Sequence, residues 1–334
     1  MFEASLLLLF IIIAALIFDF TNGAHDCANA IATVVSTKVL TPRSAVLMAA
    51  FLNLLGALLG TEVAHTLGGG IVRPEVVLGS HTLVLAALIG AIAWNSITWY
   101  FGIPSSSSHA LIGGLMGAAL AHAGSDSLNV SSIFGKVVAP LLISPLAGFC
   151  MAFLLMSGIA VAFFRVNRSL ANRFFRKSQI FSAGVMALSH GLNDAQKTMG
   201  VITLALLIFG YIDEIAVPLW VKLACALAMA AGTAVGGWKI VKTMGHKIFK
   251  LEPVHGFAAE SSAALVIGCA SMFGAPISTT HTITACIFGV GSTKRLSAVR
   301  WGIAGNLIVA WVLTIPASAL VGGLSFFLLE LIAS

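Results

Sequence analysis

From Ala4 to Phe18 the chain reads ASLLLLFIIIAALIF. Apolar stretches of about 20 residues recur from there to the far end, and each is long enough to cross a hydrocarbon core about 30 Å thick. Hydrophobic residues make up 59% of the chain and charged residues only 9%, a composition suited to lipid and unsuited to a soluble domain. The first run lacks the basic residues before it and the small-residue cleavage site after it that mark a secretory leader, so it is read as the first membrane helix. A β-barrel would alternate polarity over about ten residues; these runs are continuously apolar and rich in Gly and Ala, as closely packed helices require. The expectation is an all-α polytopic membrane protein with about 10–12 membrane segments and no soluble catalytic or regulatory module.

Five cysteines, Cys27, Cys150, Cys225, Cys269 and Cys286, show no metal-ligand spacing and are read as structural thiols. The formal charge of +6 does not mark a nucleic-acid surface, because the basic residues are dispersed among loops without aromatic interleaving. Four loops hold 14 of the 18 Lys and Arg: Lys38 with Arg43; Arg165, Arg168, Arg173, Arg176 and Lys177; Lys239, Lys242, Lys247 and Lys250; Lys294, Arg295 and Arg300. Acidic residues such as Glu62, Glu75, Asp126, Asp213 and Glu214 lie elsewhere. The basic loops are therefore assigned to the cytoplasm, which puts both termini outside and gives the two halves opposite topology. The expected division is 1–164, a basic cytoplasmic linker 165–179 lying at the inner headgroup layer, and 180–334.

Two polar motifs recur in order. NGAHDCANA (22–30) is echoed by HGLNDAQKT (190–198), with Gly23 matching Gly191 and Asp26 matching Asp194, 168 residues apart. GIPSSSSH (102–109) is echoed by GAPISTTH (274–281), 172 residues apart. With the opposed topology, this reads as an inverted-topology repeat, whose corresponding segments meet near the bilayer midplane.

Each Gly-x-Pro breaks one helix and starts another, in a helical hairpin, so the hydroxyls of Ser105, Ser106, Ser107, Ser108, Ser278, Thr279 and Thr280 fall at helix N-termini. Unpaired N–H groups, the positive dipole end and the hydroxyls together form a site for an anion. An isolated hydroxyl would read as helix glue; duplicated clusters behind duplicated breaks do not. Asp26 and Asp194 pose the complementary problem, because a bare carboxylate in hydrocarbon is paired, protonated or bound to a cation. They lie inside long apolar stretches, roughly 5–38 and 180–210, which suggests broken helices with exposed carbonyls suited to Na⁺ or a titrating proton. The alternative is an internal partner, such as Lys197 for Asp194. Asn22, His25, Asn29 and Asn193 complete the polar lining, and Lys197 and Gln196 offer contacts to the anion. His109 and His281 follow the hydroxyls, as bonded core histidines or proton carriers. Glu260 is a further intramembrane acid and so a functional candidate.

On these four motifs the chain resembles the inorganic phosphate transporter family, PiT, over essentially its whole length. The resemblance implies a secondary active carrier that imports phosphate by symport with Na⁺ or H⁺ through alternating access, a homodimer in the cell (inner) membrane, with no enzymatic activity and no cofactor beyond the coupling ion. It places Asp26 and Asp194 near the coupling cations, the hydroxyl clusters near the anion, and Glu260 at a family glutamate whose first-half counterpart is Asn53. His25, in place of the usual Asn, and Gln196-Lys197, in place of Ala-Asn, depart from the family pattern beside the cation sites and leave Na⁺ against H⁺ open. A sulfate carrier of the same family is the runner-up; phosphate, which still bears a proton near neutral pH, better suits a site with three acids. A membrane phosphatase using a motif serine and His109 or His281 would want an Arg, and none lies in the motifs. A passive channel would be hindered by acids beside the anion.

Overall fold

The structure is a computed structural model describing residues 2–68, 76, 80–214 and 216–333; Glu75 lies outside these. The described residues form helices joined by short turns, with no β-strand. The first half carries α1 (Phe2–Ser36), α2 (Pro42–Leu58), α3 (Glu62–Gly68), α4 (Leu83–Phe101), α5 (Ser107–Ala123) and α6 (Ala139–Ala162). The second carries α7 (Arg168–Ile208), α8 (Leu219–Val235), α9 (Pro253–Met272), α10 (Thr279–Lys294) and α11 (Trp301–Ala333). Pro42 opens α2, where its missing N–H is harmless, and Thr41 caps that helix by accepting from Ser44 N. Asn167 caps α7 in the same way. The stretch 165–179, expected as a linker, is therefore helical from Arg168 onward and belongs to α7.

Among the described residues, four helices are long and apolar enough to cross a membrane alone, within 5–36, 83–101, 139–162 and 301–332. A fifth span results if Leu219–Val235 and Trp238–Lys247, bent by 61°, are taken together. The remaining elements are shorter or carry the polar motifs, so fewer segments qualify by apolar length than the 10–12 expected. The outer faces of α6 and α11 expose Leu146, Leu154, Val161, Leu313, Leu320 and Leu328, while Asp, Asn, His, Ser and Thr side chains are buried at the centre. Lipid satisfies the first set, and internal hydrogen bonds satisfy many of the second.

Elements of the two halves correspond in order: α1 with α7, α2 with α8, α4 with α9, α5 with α10 and α6 with α11. Glycines make the correspondence concrete. A methyl group added at Gly56 on α2 would lie 2.1 Å from the Leu188 carbonyl oxygen on α7; at Gly232 on α8 it would lie 2.0 Å from that of Phe20 on α1. Gly23 meets the Met229 carbonyl and Gly191 that of Asn53 in the same manner. Each first helix thus packs, backbone to backbone, on the second helix of the other half, which only small residues permit. α1 and α7 run antiparallel along their length: Ser5 Oγ is 3.3 Å from Tyr211 Oη, and Thr37 donates to Gln179 at 2.8 Å.

The ends of the bundle differ in charge. Arg176 donates to the Lys38 carbonyl, Arg168 lies 3.9 Å from Glu252, and Arg300 N donates to the Ile248 carbonyl, so the basic loops gather at one end. Ser5 with Tyr211, and Thr82 with Glu330, mark the other.

Candidate functional site

Both hairpins turn by the same local chemistry. α4 ends at Gly102 and α9 just before Gly274, with φ of 69° and 66°, the left-handed region where a Cβ is penalised. Ile103 N bonds the Thr98 carbonyl and Ala275 N the Ala270 carbonyl, the 6→1 bond that closes such helix ends. Proline follows in each. Ser106 then caps α5, accepting from His109 N at 3.3 Å, and Ser278 caps α10, accepting from His281 N at 3.2 Å. The hydroxyl motifs therefore do sit at two helix N-termini, with the remaining first-turn N–H groups lacking partners within the helix.

The two tips meet. Ser108 Oγ lies 3.4 Å from the Ile277 carbonyl oxygen. Ser107 donates to Asp26 Oδ2 at 3.2 Å and Thr279 to Asp194 Oδ2 at 2.9 Å, a pair of bonds related by the repeat. Thr280 donates to Asp26 Oδ1 at 3.0 Å, and Asn29 Nδ2 reaches both Thr279 and Thr280, at 3.2 and 3.0 Å. Ligand atoms of Asp26, His190 and Asp194 all lie within 4.8 Å of one another, a grouping able to hold a metal ion.

The halves differ at Asp194. Lys197 Nζ is 2.5 Å from Asp194 Oδ1, 2.5 Å from Ser108 Oγ and 3.0 Å from the Ile277 carbonyl. Those three contacts use the three donors of an ammonium, so none is left for direct contact with an anion. Among the described residues no Lys or Arg pairs with the Asp26 carboxylate. Its neighbour His25 places Nδ1 2.7 Å from Asp26 Oδ1 and Nε2 3.1 Å from Thr98 Oγ1 and 3.3 Å from Ser105 Oγ. Ser105 donates to Thr98 at 2.9 Å.

Several expectations are corrected. α1 and α7 are unbroken through Asp26 and Asp194, so no free carbonyls surround the acids; side chains of the hairpin tips surround them instead. Gln196 turns from the centre and accepts from Val63 N at 2.7 Å and Ala64 N at 3.4 Å, capping α3. Asn193 donates to Ser271 at 2.8 Å. Asn22 is buried and its Oδ1 has no partner. His109 and His281, expected as bonded core histidines or proton carriers, stack with ring centroids 5.0 Å apart, and His281 stacks on Trp311 at 3.9 Å; among the described residues His109 Nδ1 and both ring nitrogens of His281 have no hydrogen-bond partner. Glu260 lies away from the tips, accepting from Thr33 at 2.5 Å, from Gln179 at 3.0 Å and from Ser182. Asn53 is not its repeat mate: Asn53 lies on α2, whose counterpart is α8, whereas α9, which bears Glu260, corresponds to α4.

His190 was not among the expected site residues. Its Nε2 is 3.1 Å from Asp194 Oδ2 and its Nδ1 3.1 Å from Asn53 Oδ1. The available signal was positional, since His190 matches Asn22 across the repeat.

Fold and site together define a class, a multi-pass helical membrane protein whose interior holds two facing helix N-termini over a pair of buried aspartates. A model of the phosphate transporter family matches residues 22–174 and 165–322. The chain belongs to that family. It is 50% identical over 98% of its length to a protein of Rhizobium meliloti (strain 1021), and 47% identical over 98% to one of Bacillus subtilis (strain 168), both named "Probable low-affinity inorganic phosphate transporter" and each covered over 98% of its own length. A solved structure named "The sodium-dependent phosphate transporter" matches with a TM-score of 0.89 at 25% identity, over 98% of this chain and 99% of that one.

Proposed function

We propose that the chain is a secondary active transporter importing inorganic phosphate by symport with Na⁺ through alternating access, and that it is not an enzyme. The observation that carries this reading is the meeting of the Ser108 and Ile277 tips above Asp26 and Asp194. Helix-end N–H groups and hydroxyls favour a tetrahedral oxyanion, and a protonated oxyanion can donate to a carboxylate. Ser105 to Ser108, Ser278 to Thr280 and Asn193 line the anion's place, and Asp26 with Asn22, Asn29, His25 and His190 lines the cation's. The names of the sequence relatives favour phosphate over sulfate, and that of the solved relative favours sodium over protons.

Paired glycines, the antiparallel α1 and α7 and the doubled family match support two inverted-topology repeats, the first within residues 1–164 and the second beginning with α7. The gathered basic loops support a cytoplasmic location for that end, with both termini outside the cell membrane. The working unit is a homodimer.

Uptake of labelled phosphate into proteoliposomes is the test. Uphill accumulation driven by an inward Na⁺ gradient is expected, with excess sulfate failing to compete. Accumulation driven by a proton gradient alone would reassign the coupling ion; gradient-independent leak would make the protein a channel, and phosphate release from an ester an enzyme.

A further inference from the structure

The duplicated motifs relate the two acid sites residue by residue. It carries Asp194 onto Asp26, Ser108 onto Thr280, Ile277 onto Ser105 and Lys197 onto Asn29. In the second half, the carboxylate, the hydroxyl and the carbonyl are drawn together by one ammonium, Lys197 Nζ, at 2.5, 2.5 and 3.0 Å. In the first half the corresponding oxygens belong to Asp26, Thr280 and Ser105, and the residue in the lysine's place, Asn29, brings no charge. Its amide bonds Thr279 and Thr280 instead. A carboxylate, a hydroxyl and a backbone carbonyl form the all-oxygen donor set that hard cations take. Both aspartates are buried, as are Lys197 and Asn29, so each negative charge needs a compensating positive one.

We propose that Lys197 is a tethered counter-cation, holding in the second half the place that a mobile monovalent cation takes at Asp26, Thr280 and the Ser105 carbonyl in the first. This rests on the symport reading above and sharpens it. The chain has one exchangeable cation position at this centre where an untethered repeat would have two, so one fewer cation accompanies each phosphate. Lys197 thereby sets stoichiometry and is not itself a ligand of the anion, consistent with its three occupied donors. A cation fixed by a covalent stem also keeps Asp194 neutralised in every conformation, whereas Asp26 is neutralised only while its ion is bound.

Lys197→Asn gives the second half the side chain that Asn29 gives the first. Wild type and variant, purified in detergent, are titrated with radiolabelled Na⁺ at saturating phosphate. The variant is expected to bind one more Na⁺ per chain than wild type, and its Na⁺ activation of phosphate uptake to steepen by about one in Hill coefficient, the limit being the number of sites. Equal Na⁺ binding by the two proteins, with the variant monodisperse on gel filtration, overturns the proposal. Lys197→Arg, which keeps the charge, and the double variant Asp194→Asn/Lys197→Asn, which removes both charges, provide folded controls. Each should bind as many ions as wild type. An extra ion in the double variant overturns the proposal too, because no carboxylate remains to hold it. Failure of the sodium reading is separately visible as wild type binding no Na⁺ while uptake follows a proton gradient; the charge moved per phosphate in proteoliposomes, expected to be one greater in the variant, then decides the role of Lys197, and an equal charge overturns it.

Discussion

Lys197 Nζ and Asp194 Oδ1 lie 2.5 Å apart, three residues from each other on α7, both buried. The related pair on α1 is Asn29 and Asp26, with no ammonium between them. The duplicated motifs thus carry an asymmetric charge, and the two aspartates are expected to respond differently to substitution.

Asp26→Asn keeps the shape of the side chain and removes the charge that, on the proposed reading, a mobile cation neutralises. Gradient-driven phosphate uptake into proteoliposomes should fall at least tenfold, about 1.4 kcal/mol or more of lost coupling, while the protein still elutes as wild type on gel filtration. Wild-type ion dependence in this variant would remove Asp26 from the cation site.

Asp194→Asn leaves the Lys197 ammonium buried and unpaired. Breaking a buried pair by removing one partner costs about 3–5 kcal/mol, so a large loss of thermal stability is expected. The double variant Asp194→Asn/Lys197→Asn should regain much of it. Thermal denaturation of the detergent-solubilised proteins gives the comparison.

Ser106→Ala and Ser278→Ala each remove a helix cap, worth about 1 kcal/mol, and a hydroxyl that the proposed function places beside the anion. Apart from a modest fall in thermal midpoint, the double variant should bind phosphate several-fold more weakly while Na⁺ binding changes little. Equal weakening of both ligands in isothermal titrations would reduce the two serines to structural caps.

Glu260→Ala strips the acceptor from Thr33, Gln179 and Ser182 at once. Each stranded buried donor costs about 1–3 kcal/mol, so this change should destabilise the fold strongly. Gln in the same place retains an acceptor and should do less harm. An unfolding midpoint unchanged in the Ala variant would mean that the three hydrogen bonds contribute little.

Gly232→Ala would drive a methyl group against the Phe20 carbonyl, backbone against backbone, and overpacking of this kind costs about 1–3 kcal/mol. Gly305 on α11 has open space around it. Gly305→Ala should leave the midpoint unchanged or slightly raised, since Ala is favoured in a helix interior by about 1 kcal/mol. Melting curves of the two variants side by side test whether α1 and α8 are in contact as described.

Much of this protein is legible in its sequence because the determining interactions are local. A 15-residue apolar run specifies a lipid-facing helix by length and transfer energy alone. Gly102-x-Pro104 and Gly274-x-Pro276 specify helix breaks through φ and a missing N–H, and Ser106 and Ser278 fall into the cap position that follows. The duplicated motifs pointed to the residues that meet at the centre, and the pairing of Lys197 with Asp194 was open as an alternative at i,i+3 spacing. Partners across helices were not legible. That Gln196 caps α3, that Glu260 gathers donors from α1 and α7, that His190 bridges Asn53 and Asp194, and that α1 and α7 pass unbroken through their aspartates all depend on how helices cross. Helical periodicity gives the face on which a side chain lies; only tertiary packing, fixed here by glycine contacts between backbones, decides which atom of another helix that face meets.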